Sequence, residues 1–256
     1  MTRVSYFALL KYLVVADFKT DVNRYFLGVF WWFVEPLMYV AVYYVAFSHL
    51  RAADENYVYF LIVGITTWRW LAGSINQASN SIISKKRIIS HFSLNPIIFA
   101  LSAITTNSLK FLVLLAFVCV LLQQGGQLQF AGLQAMLFWF VTTLMCLVAC
   151  SLLSAFIVVY IPDMRVFISQ GLMLLLFLSG VIFSLESVGP QLAEVLQFNP
   201  FVHLISGIRY VLLGPEQGSL PHEAMTIIMV VSAIVVLMTT ILSSKISADI
   251  PKRLLL

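Results

Sequence analysis

The chain has 256 residues, 61% of them hydrophobic and only 10% charged, with a formal net charge of +4. Its mean hydropathy is +0.97, and a soluble domain carries roughly a quarter charged residues, so an ordinary water-soluble globule is excluded and an integral membrane protein remains. The basic residues are spread between apolar runs rather than gathered on one face, which excludes a nucleic-acid footprint too.

At the N-terminus, Arg3 and Lys11 flank only a short apolar patch with no small-residue cleavage site, so no removable signal is expected. Phe7, Leu10, Val14, Phe18, Val22 and Tyr25 then recur every three or four residues, with Lys11, Asp17, Lys19, Asp21 and Arg24 between them. This spacing predicts an amphipathic helix lying in the membrane interface, and Gly28 offers a bend after it. A spanning helix needs about 20 mostly apolar residues. Six stretches qualify, near 29–49, 57–75, 96–122, 133–160, 166–183 and 224–243.

Between the second and third stretches, residues 79–96 read "SNSIISKKRIISHFSLNP". Ile82, Ile83, Ile88, Ile89 and Phe92 surround Lys85, Lys86 and Arg87 at near-helical spacing, which predicts a short amphipathic helix in a loop. Such a helix rests on a membrane or docks into a partner's groove. Before the last span lies "NPFVHLISGIRYVLLGP", residues 199–215. Its apolar part, about 13 residues, is too short to cross. Asn199 and Pro200 start a helix there and Gly214 stops it. With a shorter apolar helix near 191–198 it predicts a re-entrant hairpin, whose non-helical backbone must be covered by protein or line water.

Lys and Arg in short loops set the orientation. Arg3, Lys11, Lys19 and Arg24, then Lys85, Lys86 and Arg87, then Arg165, and finally Lys245, Lys252 and Arg253 fall on one side, against Arg51 and Arg209 on the other. Both termini are therefore expected in the cytoplasm. The expected fold class is an all-α integral membrane protein. It comprises six transmembrane helices, an N-terminal amphipathic interfacial helix and a short re-entrant hairpin before the last span. It is read as one domain over 1–256, divided into 1–28, 29–243 and a tail of 244–256.

Enzymatic signatures are absent from the sequence. It has no phosphate-binding G-x-x-x-x-G-K-[ST] loop, no G-x-S-x-G and no H-E-x-x-H. Cys119, Cys146 and Cys150 lie within apolar runs without the paired spacing of a zinc site. Glu35, Arg69 and Lys110 stand near membrane depth, where a charge is costly unless paired or wet. They mark a water-filled path, an intersubunit pair or interfacial placement. Trp31, Trp32, Tyr39, Tyr43, Phe47, Tyr59 and Trp68 are the candidate channel lining, set against the alternatives of an interfacial belt or a dry aromatic core. Tyr39, Tyr43 and Phe47 step by four along one face, and a tyrosine ring stacks on a sugar while its hydroxyl bonds sugar hydroxyls.

"DFKTDVNRYFLGVFWWFVEPL" (17–37), "YIPDMRVFI" (160–168) and "FNPFVHLISGIRYVLLG" (198–214) resemble, in order, segments of the type-2 ABC exporter permeases. More narrowly, they resemble those exporting capsule or O-antigen polysaccharide. The resemblance implies a homodimeric channel in the inner membrane. Each copy would bind a separate ATP-binding cassette subunit that holds ATP and Mg²⁺, with no cofactor in this chain. It implies that Ile82, Ile83, Lys85, Lys86, Arg87, Ile89 and Phe92, with Asp17, Lys19 and Arg24, couple to that ATPase. It implies further that Asn199, Pro200 and Arg209 serve the outer gate, and that the cargo is a free or lipid-linked glycan. The alternatives are a type-2 exporter of a drug or lipid and a membrane-embedded enzyme of glycan or lipid assembly.

Overall fold

The computed structural model describes residues 6–23, 26, 28–47, 56–86, 89, 95–185 and 188–246, and every regular element among them is helical. In chain order these are α1 (Tyr6–Asn23), a 3-10 turn (Gly28–Phe30) running into α2 (Trp31–Phe47), α3 (Tyr57–Ser84), α4 (Ile97–Gln124) and α5 (Leu133–Tyr160). After them come α6 (Met164–Leu178), α7 (Pro190–Leu196), α8 (Pro200–Leu213) and α9 (His222–Ile246). Arg24, Arg87 and Phe92 lie outside the described residues.

Among the described residues five helices are long and apolar enough to cross a membrane: the 3-10 turn with α2, then α3, α4, α5 and α9. A 28-residue helix such as α3, α4 or α5 is about 42 Å long and outreaches a hydrocarbon core of roughly 30 Å. The hub is α3, packed against α2, α4, α5, α6 and α8. Its membrane window is 72% buried, against 11% for the first span and 17% for the last. Those two peripheral helices turn apolar side chains outward, as a hydrocarbon solvent demands. Inside, Trp70 of α3 stacks on Phe111 of α4 with centroids 4.1 Å apart. Trp139 of α5 donates its indole N–H to the carbonyl of Leu204 in α8 at 2.6 Å.

Two sequence expectations are corrected. The stretch 166–183 is not one continuous helix. The helix α6 ends at Leu178 after 15 residues, about 22 Å of rise, because Gly180 takes a left-handed φ of +69°. The irregular segment that follows is buried at Ser179, Val181 and Ile182. The loop helix expected within 79–92 is also not separate at its start, since α3 continues without a break to Ser84. Ser79, Ser81 and Ser84 return their hydroxyls to the carbonyls of Asn76, Ala78 and Ser81, so their polar groups are met inside the helix. At Lys85 the backbone leaves helical geometry, and one further helical bond joins the Ile89 N–H to the Lys85 carbonyl at 3.2 Å.

Between α6 and α9 the chain makes the short hairpin α7–α8. The Asn199 side chain accepts from the Phe201 N–H at 3.0 Å, capping α8, and Pro200 opens the first turn. At its far end α8 stops at Gly214, φ +87°. Its last carbonyls accept from the loop after α4, with Gln129 and Ala131 N–H bonding the Leu212 and Val211 carbonyls at 2.9 Å. These outside donors complete a helix end that is otherwise short of partners.

Candidate functional site

A cavity of about 890 Å³ opens along α2 and takes its walls from four helices. Trp31, Trp32, Glu35, Met38, Tyr39, Val42 and Tyr43 come from α2, Asp21 from α1, Gln77 from α3 and Lys110 from α4. Residues at 35, 39, 43 and 47 share one helical face, so the aromatics align. Tyr39 and Tyr43 stack at 6.3 Å between centroids, Tyr43 and Phe47 follow at 6.3 Å, and Phe177 of α6 meets Tyr43 edge-on at 6.4 Å.

Charge is interleaved with this ladder. Arg69 of α3 pairs with Glu35 at 2.5 Å and lies 5.1 Å from the Tyr39 ring. Lys110 pairs with Asp21 and lies 5.5 Å from the Trp32 ring. A second chamber of about 180 Å³ adjoins the first, sharing Trp32, Glu35 and Lys110 and adding Arg69, Thr66 and Asn107. A wall of hydroxylated rings and paired charges offers stacking and hydrogen bonds together, which suits a polar, ring-containing cargo.

Of the seven aromatic candidates from the sequence, the structure brings Trp31, Trp32, Tyr39 and Tyr43 to this cavity, with Phe47 continuing the ladder. It places two elsewhere. Trp68 is 3% exposed and packs edge-on against Phe201 of α8 at 5.6 Å. Tyr59 lies against Gly125 at the end of α4, so close that a Cβ on that glycine would collide with the phenol. Sequence reading left Glu35, Arg69 and Lys110 as marks of a water-filled path, an intersubunit pair or interfacial placement. The structure supplies their partners, including Asp21 from α1.

Asn199, Pro200 and Arg209 converge at the broken end of α6. Asn199 donates its side-chain N–H to the Leu178 carbonyl at 3.0 Å and to the Ser179 hydroxyl at 3.2 Å. Arg209, 2% exposed, donates to the carbonyls of Gly180 and Val181 at 2.6 Å each and of Phe60 at 3.2 Å. Its guanidinium carbon sits 3.3 Å from the Phe60 ring centroid. Tyr57 adds a bond to the Ile182 carbonyl at 3.1 Å. One cation with several fixed donors thus satisfies irregular, buried backbone. A small polar pocket of about 190 Å³ lies beside it, lined in part by Ser206, Glu216 and Ser219.

At the other end of α3, Lys85 donates to the Asp17 carboxylate of α1 at 2.8 Å, and Ser102 of α4 donates to its second oxygen at 2.8 Å. Asp17 therefore engages the chain's own helices. Ile82 and Ile89 are 0% and 2% exposed and belong to the bundle's core, while Ile83 is half-buried and Lys19 and Lys86 are exposed.

The described fold is that of a multi-pass helical membrane protein with an aromatic and charged cavity along α2. Among the described residues no three His, Cys, Asp or Glu side chains gather as a metal site. The chain belongs to the ABC-2 type transporter family, whose profile matches residues 8–213. It is similar to the O-antigen export system permease protein RfbA of Klebsiella pneumoniae, at 23% identity over 87% of this chain and 85% of the relative. It is similar to the protein of the same name from Myxococcus xanthus, at 26% identity over 78% of each chain. The polysialic acid transport protein KpsM of Escherichia coli is 22% identical over 75% of this chain and 76% of its own.

Proposed function

We propose that this chain is the membrane subunit of an ATP-driven exporter of a cell-surface polysaccharide. It works as two copies in the inner membrane, with both termini in the cytoplasm and each copy docked to a separate subunit that binds ATP and Mg²⁺. The observation that carries the reading is the 890 Å³ cavity, where a stacked Tyr39–Tyr43–Phe47 ladder runs beside two ion pairs. The family and the printed names of the relatives support the same class of cargo. Exposed α2 faces support a second copy beside the cavity, closing it into a channel. The exposed cation Lys86 at the end of α3 supports an adjacent docking surface for the ATPase.

The test replaces Tyr39 and Tyr43 together by Ala and, separately, by Phe, in cells whose surface glycan is quantified by glycan-specific staining. Ala is expected to cut export at least tenfold with the protein still in the membrane, and Phe less, because the ring survives and only the hydroxyl is lost. Undiminished surface glycan in the double Ala variant would sink the reading. Purification in mild detergent is expected to bring down a stoichiometric ATP-binding subunit.

A further inference from the structure

The three carboxylates carried by the first two helices are Asp17, Asp21 and Glu35. Each meets a cation from α3 or α4: Lys85, Lys110 and Arg69, respectively. In these three pairs the acid comes from α1 or α2 and the base from α3 or α4. Lys110 and Arg69 stand near the midpoints of 28-residue helices, at a depth where a cation needs a fixed anion or water. The partners they have are half-open. The Glu35 side chain is 49% exposed and that of Asp21 30%.

We propose that Lys110 and Arg69 form an oxyanion site for the cargo, and that Asp21 and Glu35 occupy it as internal stand-ins until a phosphoryl or carboxylate group displaces them. Three observations support this. Both cations border the smaller chamber, which shares Trp32, Glu35 and Lys110 with the large cavity. Each lies near an aromatic ring, Trp32 or Tyr39, so its position is retained when the carboxylate leaves. Thr66, 2% exposed and lining the smaller chamber, has a buried Oγ1 with no partner among the described groups. An oxyanion accepts from a guanidinium, an ammonium and a hydroxyl at once, and a single carboxylate on a neighbouring helix does not reach them all.

The exchange has a mechanical consequence. Asp21 and Glu35 tie α1 and α2 to α4 and α3. An oxyanion that takes their places loosens that attachment as it binds, so loading and opening become one event. The inference rests on reading this cavity as the cargo site. It is tested by binding alone, so that its failure and a failure of glycan export remain distinguishable.

The full chain is placed in phosphatidylcholine nanodiscs and titrated calorimetrically with dodecyl phosphate, tetraglucuronate and inorganic phosphate, with dodecanol and maltotetraose as uncharged controls. At least one charged probe is expected to bind saturably where its uncharged counterpart does not. Dodecyl phosphate alone identifies a lipid-borne phosphoryl group, tetraglucuronate alone an acidic sugar, and all three a generic oxyanion. Lys110→Gln is expected to weaken binding about tenfold and Lys110→Arg to restore it. Asp21→Asn is expected to tighten binding by up to about fivefold, the range of a partly exposed ion pair. That opposite sign is the decisive readout, because a variant that merely loosens the fold does not bind better. Charged probes that bind no better than their controls overturn the proposal, as does an Asp21→Asn variant that binds equally or more weakly.

Discussion

Replacing Arg209 by Met removes every donor of the guanidinium while keeping an apolar chain of similar reach. The bonds to the Gly180 and Val181 carbonyls are short, 2.6 Å each, and charge-assisted bonds contribute roughly 1.5–3 kcal/mol apiece. The 3.2 Å bond to Phe60 adds about 1 kcal/mol, and the desolvated contact with the Phe60 ring up to about 2 kcal/mol. Against these stands the relief of no longer burying a cation, several kcal/mol. The net is a destabilisation of about 4 kcal/mol, because the carbonyls stay buried without a donor. For a chain of this size that corresponds to a fall in melting temperature of roughly 8–16 °C, read by intrinsic fluorescence of the detergent-solubilised protein. Arg209→Lys recovers less than half, since one ammonium cannot span three carbonyls. Gly64→Ala weakens the same junction from the other side, because its Cβ would overlap the guanidinium and stand 3.1 Å from the Val181 carbonyl. A melting temperature of Arg209→Met within 2 °C of the parent would refute the argument.

Gly28→Ala is expected to cost about 1–2 kcal/mol, since φ is +47° there and a left-handed residue with a side chain is strained; the same melting assay reads it. Trp139→Phe keeps most of the apolar contact but loses the bond to the Leu204 carbonyl, and is expected to lower stability by about 1–2 kcal/mol. Asp17→Lys and Lys85→Asp each break the pair that joins α1 to the end of α3. The double swap is expected to restore up to about 1 kcal/mol of it, seen as renewed protection of α1 from limited proteolysis. A double swap that is no better than the worse single variant removes the pair from the account.

Much of this architecture was legible in the sequence because bilayer thickness and helix periodicity act on local stretches. The span 133–160 coincides with α5, and the four-residue step of Tyr39, Tyr43 and Phe47 becomes a physical ladder. Asn199 and Pro200 announce the start of α8 by cap chemistry alone. What was not legible depends on partners distant in the chain. Asp21 and Lys110 are 89 residues apart, so nothing local indicates that the lysine is paired by α1. Trp68 reads like any membrane aromatic, and only the crowding around α3 places it in the core. The extension of α3 through the serine-rich stretch was hidden because serine reads as a helix breaker, whereas here the hydroxyls bond back to their own helix. The end of α6 had a local sign in Gly180, but an 18-residue apolar run outweighed it.

The two ends of the bundle are held by interactions of different strength, and this ranks which part yields first. The layer of α1 and α2 is joined to α3 and α4 through three ion pairs whose side chains are 19–49% exposed. Such pairs contribute at most about 1 kcal/mol each. The junction of α6 with α3 and α8 is held by a buried guanidinium and a capping asparagine, and loses about 4 kcal/mol when the cation goes. A push delivered at Lys85 therefore meets little resistance toward α1 and α2 and much more toward the hairpin. Hydrogen exchange on the full chain in nanodiscs is expected to show amides of α1 opening well before those of Val181 and Ile182. If Val181 and Ile182 exchange as fast as α1, the hairpin is the looser part and the motion begins there instead.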